Sequence, residues 1–298
     1  MTTASGEGGS AGGPTVLRMI LGGHLRRLRE ARGITRDVAG WEIRASESKI
    51  SRMELGRVGF KERDVADLLT LYGVADENER SRLLALARDS NAQGWWHRYG
   101  DAIPNWFQSY LGLEANSSMI RSYEVQFVPG LLQTKDYARA VVTLGHGRAD
   151  PDEIERRVAL RMARQQLLTR PEPPAPLLWA VVDEAALRRS IGGPKVMRVQ
   201  LEALIEATHQ PNVRLQVAGF HMGGHPAAGG AFTILRFPDE DLADVVFVEQ
   251  LNSGLYFEKS NEADEYAEVI ERLSIEADPP SRTEEILRTI LDDLDERG

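Results

Sequence analysis

Apolar residues recur at helical spacing through the first quarter of the chain. Leu21, Leu25 and Leu28, with Arg26, Arg27 and Arg29 between them, predict a helix that Gly33 ends. Thr35 is suited to cap a second helix, with Asp37 at its positive end and Val38, Ala39 and Ile43 on its buried side. Gly40 in the middle of that helix costs ~1 kcal/mol against Ala, which implies a close helix crossing. Only Arg44 and Ala45 then separate Ile43 from Ser46, which can cap a third helix running to Gly56. In this stretch, SESKISRMELG, Ile50 and Met53 face inward. Ser48, Arg52 and Leu55 lie on the other side, flanked by Lys49 and Ser51. Val65, Leu68, Leu69 and Tyr72 predict a closing helix ended by Gly73.

Two helices joined by so short a turn form the helix-turn-helix pattern. The outer side of the third helix has unusual chemistry for a face that merely meets water. Ser48 and Ser51 are short enough to let a backbone approach closely, and Arg52 is long enough to fork onto guanine O6 and N7. The free N–H groups at both helix N-termini suit phosphates. Arg57, Lys61 and Arg63 follow, placed to grip a nucleic-acid backbone.

Beyond Val74 the pattern changes. Asp76 to Asn91 reads as an amphipathic helix with Leu83, Leu84 and Ala87 on one face. The aromatic stretch GWWHRYGDAIPNWF follows, and Trp95, Trp96, Trp106 and Phe107 read either as core packing or as a patch for a partner or ligand. Ile120 to Phe127 alternates as a strand does. Thr134 caps one helix, and Pro151 opens a longer one with Asp152, Glu153 and Glu155 in its first turn. The segments LLWAVV, VRLQVAGF, AFTILRF, DVVFVEQL and GLYFEK read as strands, with a helix over Val196–Thr208 and helices at the end. The expected fold class is α+β: an N-terminal all-α helix-turn-helix domain, then a larger mixed α+β domain with an antiparallel or mixed sheet. The expected organisation is a flexible arm over residues 1–15, a DNA-binding domain over 16–75, a helical linker over 76–110 and a larger domain over 111–298.

Charge sharpens this division. The 298-residue chain has a net charge of −9, which on average disfavours a nucleic-acid partner. From Val16 to Val74, however, it has twelve Lys or Arg against eight Asp or Glu, a net of +4, which leaves −13 on the remainder. A small basic segment on an acidic body fits a nucleic-acid-binding head. The absence of cysteine excludes disulfides, thiol catalysis and thiolate metal sites. The arm MTTASGEGGSAGGPT lacks the basic and apolar regions of a secretory signal, and no apolar run is long enough to span a bilayer. A cytoplasmic protein is therefore expected.

The stretches LRRLREARGITRDVAG and SESKISRMELGR resemble the Cro/C1-type (Xre) helix-turn-helix family. The resemblance implies base reading by Glu47, Ser48 and Arg52 at the start and middle of the third helix, and a phosphate contact at Arg36. Ser46, Lys49, Ser51, Arg57 and Lys61 complete the expected DNA-binding set. That family often has Gly in the turn where this chain has Arg44, so a left-handed conformation there costs energy. Glu47 puts an acid near phosphates; it either accepts from cytosine N4 or acts as a repulsive residue that sharpens specificity. The body stretches IRSYEVQFVPGLLQTKDYARAV, ERRVALRMARQQLLTR, DEAALRRSIGGPKVMRVQLEALIE and SGLYFEK resemble the DUF5753 domain. Together the two halves are similar to Scr1-type and WhiJ-type actinomycete regulators. That resemblance implies an antitoxin-like transcription factor, often encoded beside a small DUF397 protein, with no catalytic residues.

Enzyme readings find less support. His221 and His225 in HMGGHPAAGG are spaced like metal ligands but lack a third ligand nearby. Asp183 and Glu184 read as a helix start in DEAALRR rather than an acid pair. No cofactor, metal or catalytic residue is expected. Two functional classes stay open. One is a sequence-specific regulator of a double-stranded DNA operator, homodimeric through its body, which binds a small partner protein or ligand. The other is an antitoxin-like adaptor that sequesters a small DUF397-type partner, with DNA binding as autoregulation.

Overall fold

A computed structural model describes residues 15–91, 94–147, 149–238 and 242–297. The arm expected over residues 1–15 lies outside these, apart from Thr15, which begins the first helix. The chain divides into two compact units. Among the described residues, the first holds those up to Arg98 and Pro104–Asn116; the second holds Ser117–Pro238 and those from Ala243 to 297.

The first unit is all helical: α1 (Thr15–Ala31), α2 (Arg36–Glu42), α3 (Glu47–Glu54), α4 (Glu62–Leu71), α5 (Glu77–Asp89) and α6 (Asn105–Ala115). Gly33, Gly56 and Gly73 end α1, α3 and α4 with φ of 65°, 65° and 72°, conformations that a side chain disfavours. Leu21, Leu25, Ile50, Met53, Val65, Leu68, Leu69 and Tyr72 form one buried core. Burying side chains of this size contributes roughly 1.5–3 kcal/mol each. α5 lies in the stretch expected as a linker, and its Leu83 and Ala87 are buried in this same core. Arg80 and Arg88 of α5 also bond across to α4, at Ala66 O and Glu62. The buried side of α2 differs from the expected one. Val38 is half exposed, and the inward residues are Ala39, Gly40 and Ile43. The close approach at Gly40 centres the contact on that residue and leaves Val38 at the rim.

The second unit is a six-stranded sheet with helices on both faces. Its elements are β1 (Met119–Glu124), α7 (Lys135–Gly145), α8 (Pro151–Gln165), β2 (Leu177–Asp183), α9 (Glu184–Arg188), α10 (Pro194–Thr208), β3 (Val213–Ala218), β4 (Phe232–Arg236), β5 (Val245–Glu249), β6 (Gly254–Phe257), α11 (Ser260–Glu276) and α12 (Thr283–Arg297). Strand order is β3-β2-β1-β4-β5-β6. The first three strands are parallel, joined by helical crossovers as parallel pairing requires, and β4 to β6 add antiparallel. The sheet is therefore mixed. Tyr123, Val181, Phe232, Ile234 and Val246 bury one face against Ile270 and Leu273 of α11. α10 and α12 pack on β3. β1, β2, β3 and β5 all end at one edge of the sheet. The loop from Gly219 to Ala231 runs along that edge, where His225 Nε2 lies 2.9 Å from Tyr123 Oη.

Candidate nucleic-acid interface

Local chemistry positions α2 and α3 tightly. Thr35 caps α2 by accepting from Val38 N at 3.3 Å, and Ser46 caps α3 by accepting from Lys49 N at 3.2 Å. Between them Ala45 N donates to Gly40 O at 2.8 Å. A Cβ on Gly40 would stand 2.7 Å from Ala45 O, so only glycine lets the chain turn this closely over α2. The close approach is thus to the turn and the start of α3. Arg44 adopts φ 54°, the left-handed conformation that its side chain makes costly.

The two faces of α3 differ sharply. Ile50, Met53 and Glu54 are buried, whereas Ser46, Glu47, Ser48 and Arg52 are exposed and Ser51 is half-buried. Arg52 Nε lies 3.4 Å from Ser48 O, a long contact that leaves the guanidinium on the surface of its own helix. Arg57 and Lys61 are exposed beyond the end of α3. Lys49 turns the other way. Its Nζ pairs with Asp64 Oδ2 of α4 at 2.7 Å, which ties α3 to α4.

Arg36 joins a network that the sequence reading did not include. Glu54, 6% exposed, accepts from Arg29 Nε at 2.5 Å, from a second Arg29 nitrogen at 3.1 Å and from Arg36 Nε at 2.9 Å. Arg29 is as deeply buried, and also donates to Ile34 O at 2.8 Å. The hydrogen bonds to Glu54 hold the Arg29 guanidinium above its ordinary pKa. One carboxylate thus links α1, α2 and α3 and sets where Arg36 sits at the N-terminus of α2. Spacing offered a signal. Arg29 is four residues after Leu25, and Glu54 four after Ile50, so both fall on buried helix faces.

The aromatic residues expected as a partner patch fall into two pairs. Trp95 and Trp96 meet edge to face at 5.8 Å, and Trp106 and Phe107 do so at 5.6 Å. Trp96 is 3% exposed; Trp95 has the greatest exposure of the four. The other polar candidates serve the fold of the second unit. Asp183 caps α9 by accepting from Ala185 N at 2.8 Å, and Glu184 accepts from Arg188 and from Phe220 N. His221 faces Asp278 at 3.7 Å, whereas His225 faces Tyr123. Among the described residues no group of His, Asp and Glu is arranged to hold a metal ion, and no helix is long and apolar enough to cross a membrane.

Two capped helices, a tight turn and a second helix with short polar residues and arginine outward define a helix-turn-helix protein of the DNA-binding kind. Residues 20–83 match the family described as a helix-turn-helix domain. Residues 107–289 match a domain of unknown function, DUF5753, and the chain belongs to that family. No curated protein and no solved structure matches the chain.

Proposed function

We propose that the protein is a cytoplasmic, sequence-specific transcriptional regulator. It binds a double-stranded operator as a homodimer through α3, and its DUF5753 domain binds a small partner protein or ligand that changes operator affinity. The observation that carries this reading is the outward face of α3. It offers a forked donor, Arg52, between short residues, beside helix N-termini free to meet phosphates. A dimer follows because one recognition helix reads only a few base pairs, and two half-sites about one helical turn apart supply specificity.

The test uses the full chain and an operator selected from random-sequence duplexes. Arg52→Ala is expected to remove about 1–3 kcal/mol of discrimination between operator and random DNA. Arg36→Ala is expected to weaken binding to all sequences alike and to lower the salt slope by about one. An unchanged operator-to-random affinity ratio in Arg52→Ala would overturn this placement of α3 in the groove.

A further inference from the structure

The Gly-rich loop after β3 and the start of α9 meet at a cavity that DNA binding does not use. In α/β sheets ligands bind outside the carboxyl ends of the parallel strands, where loops from several strands converge. At that end of β3 a cavity of about 240 Å³ lies between the loop, α9 and α12. Val217 of β3 with Ile286 and Ile290 of α12 supply its apolar lining. Glu184, Asp278 and Glu285 bring carboxylates to it, Arg188 and Arg282 bring guanidiniums, and His221 brings an imidazole. All of these residues belong to the second unit.

Glycine at 219 permits the arrangement. A Cβ there would stand 2.5 Å from His221 Nδ1 and 3.4 Å from Asp278 Oδ2, so the imidazole and the carboxylate both close over this residue. The next residue, Phe220, donates its N–H to Glu184 Oε2 at 2.9 Å and brings that carboxylate to the same turn. Asp278 is 9% exposed. Its Oδ1 accepts from Arg282 at 3.1 Å. Among the described residues its Oδ2 faces only His221 Nε2 at 3.7 Å, too far for a hydrogen bond. One oxygen of a deeply buried carboxylate is thus open to a donor in the cavity. The guanidiniums, by contrast, are occupied. Arg188 donates to Glu184 at 2.6 Å and to Asp293 at 2.7 Å. Arg282 pairs with Asp278 and, at 3.5 Å, with Glu285. Two guanidiniums therefore serve four carboxylates, and the excess charge around the cavity is negative.

We propose that this cavity binds a small primary amine, its ammonium donating to Asp278 Oδ2 and its hydrocarbon body lying on Val217, Ile286 and Ile290. An anion would meet the excess of carboxylates and find both guanidiniums already paired. A neutral polar molecule would gain nothing from that excess, whereas a hydrogen bond from a cation to a carboxylate is among the strong ones. An ammonium also has three donors, so it can serve Asp278 and still reach Glu285 at the rim. The size is limited as well. Water takes about 30 Å³ per molecule in the liquid, so a cavity of about 240 Å³ suits a ligand of roughly eight non-hydrogen atoms. The assignment rests on reading the DUF5753 domain as the effector-binding part of the protein, and gives that part a ligand class.

The experiment is calorimetry and proton NMR of the full chain without DNA. The probe is benzylamine, which is of the right size. Benzyl alcohol keeps its shape without the charge, benzoate reverses the charge, and methylamine keeps the charge without the body. Benzylamine is expected to bind at millimolar concentration or below, and each control more weakly. Binding is expected to shift the ring resonances of His221, which are identified by their loss in His221→Gln. Asp278→Asn is expected to weaken binding roughly tenfold, the worth of one charge-assisted hydrogen bond. Asp278 also holds Arg282, so a second variant leaves that pair alone. Thr289→Trp, at an exposed position on the cavity wall where the fold is not at risk, is expected to fill the cavity and abolish binding. The proposal is overturned if benzylamine does not bind, if any control binds equally well, or if neither Asp278→Asn nor Thr289→Trp weakens binding. Operator affinity measured with and without saturating benzylamine tests the effector reading separately: binding that leaves it unchanged supports the site and counts against that reading alone.

Discussion

Glu54 offers the sharpest test of how the head is held together. Glu54→Gln keeps the volume and removes the charge, which leaves Arg29 buried with one backbone acceptor, Ile34 O, and a 3.3 Å contact to Glu30. Removing one member of a buried ion pair costs about 3–5 kcal/mol. Glu30 is half exposed and offsets only a little, so the lower end, about 3 kcal/mol, is expected. Against a typical domain stability of about 5–15 kcal/mol, that is a large fraction. Hydrogen exchange is the suitable assay, since the chain has two units and a single unfolding transition is not assured. Core amides of α1 and α3 are expected to exchange roughly a hundredfold faster through global opening of the head, the equivalent of about 3 kcal/mol. The double variant Arg29→Met/Glu54→Leu is expected to recover most of the loss, because it removes both buried charges together. Exchange within a fewfold of the parent in Glu54→Gln would refute the claim that this carboxylate holds the three helices.

Two further outcomes are expected. Gly40→Ala puts a methyl group 2.7 Å from the backbone oxygen of Ala45, which cannot swing away. The overpacking cost of about 1–3 kcal/mol exceeds the ~1 kcal/mol gained in helix propensity, so the melting temperature of the head should fall by a few degrees. For Glu124 burial raises the folded pKa to about 8, above the ordinary glutamate value of 4.5. The folded state therefore holds the proton more tightly, and stability falls as pH rises from about 4.5 to 8 and is level above that. The gap has a ceiling of about 5 kcal/mol, which contact with solvent reduces. Glu124→Gln should flatten this pH dependence, with the gain over the parent largest near pH 9; a calorimetric scan of the second unit from pH 5 to 9 with parallel curves would contradict it.

Much of the head was legible in the residues because its signals are local. Caps at Thr35 and Ser46, and glycines at positive φ at 33, 56 and 73, act within one turn and need no distant partner. The left-handed turn at Arg44 was suggested only by the family's glycine there, since arginine itself disfavours that conformation. The strands were legible as runs, and their order was not, since pairing β1 with both β2 and β4 depends on partners far along the chain. Arg29 shows the same limit on a smaller scale. Its spacing says that it faces inward, but only the fold shows that Glu54 waits there. Lys49 reads as a flank of the outward face of α3, and only the fold shows that α4 brings Asp64 to it.

The strand order has a consequence for how the protein is made. β1 ends at residue 124, but its neighbour β4 begins at Phe232 and the edge strand β6 at Gly254. Pairings of such long sequence separation form slowly, whereas the short-range helical contacts of α1 to α5 form quickly. On the ribosome the head is complete while more than a hundred residues of the sheet are still to be added, and domains fold as units, N-terminal first. For that interval the nascent chain presents a folded α3 and an unpaired β1. The antiparallel strands β4 to β6 wait on the last third of the message, and a chain that ends before them carries a complete helix-turn-helix and only half of the sheet.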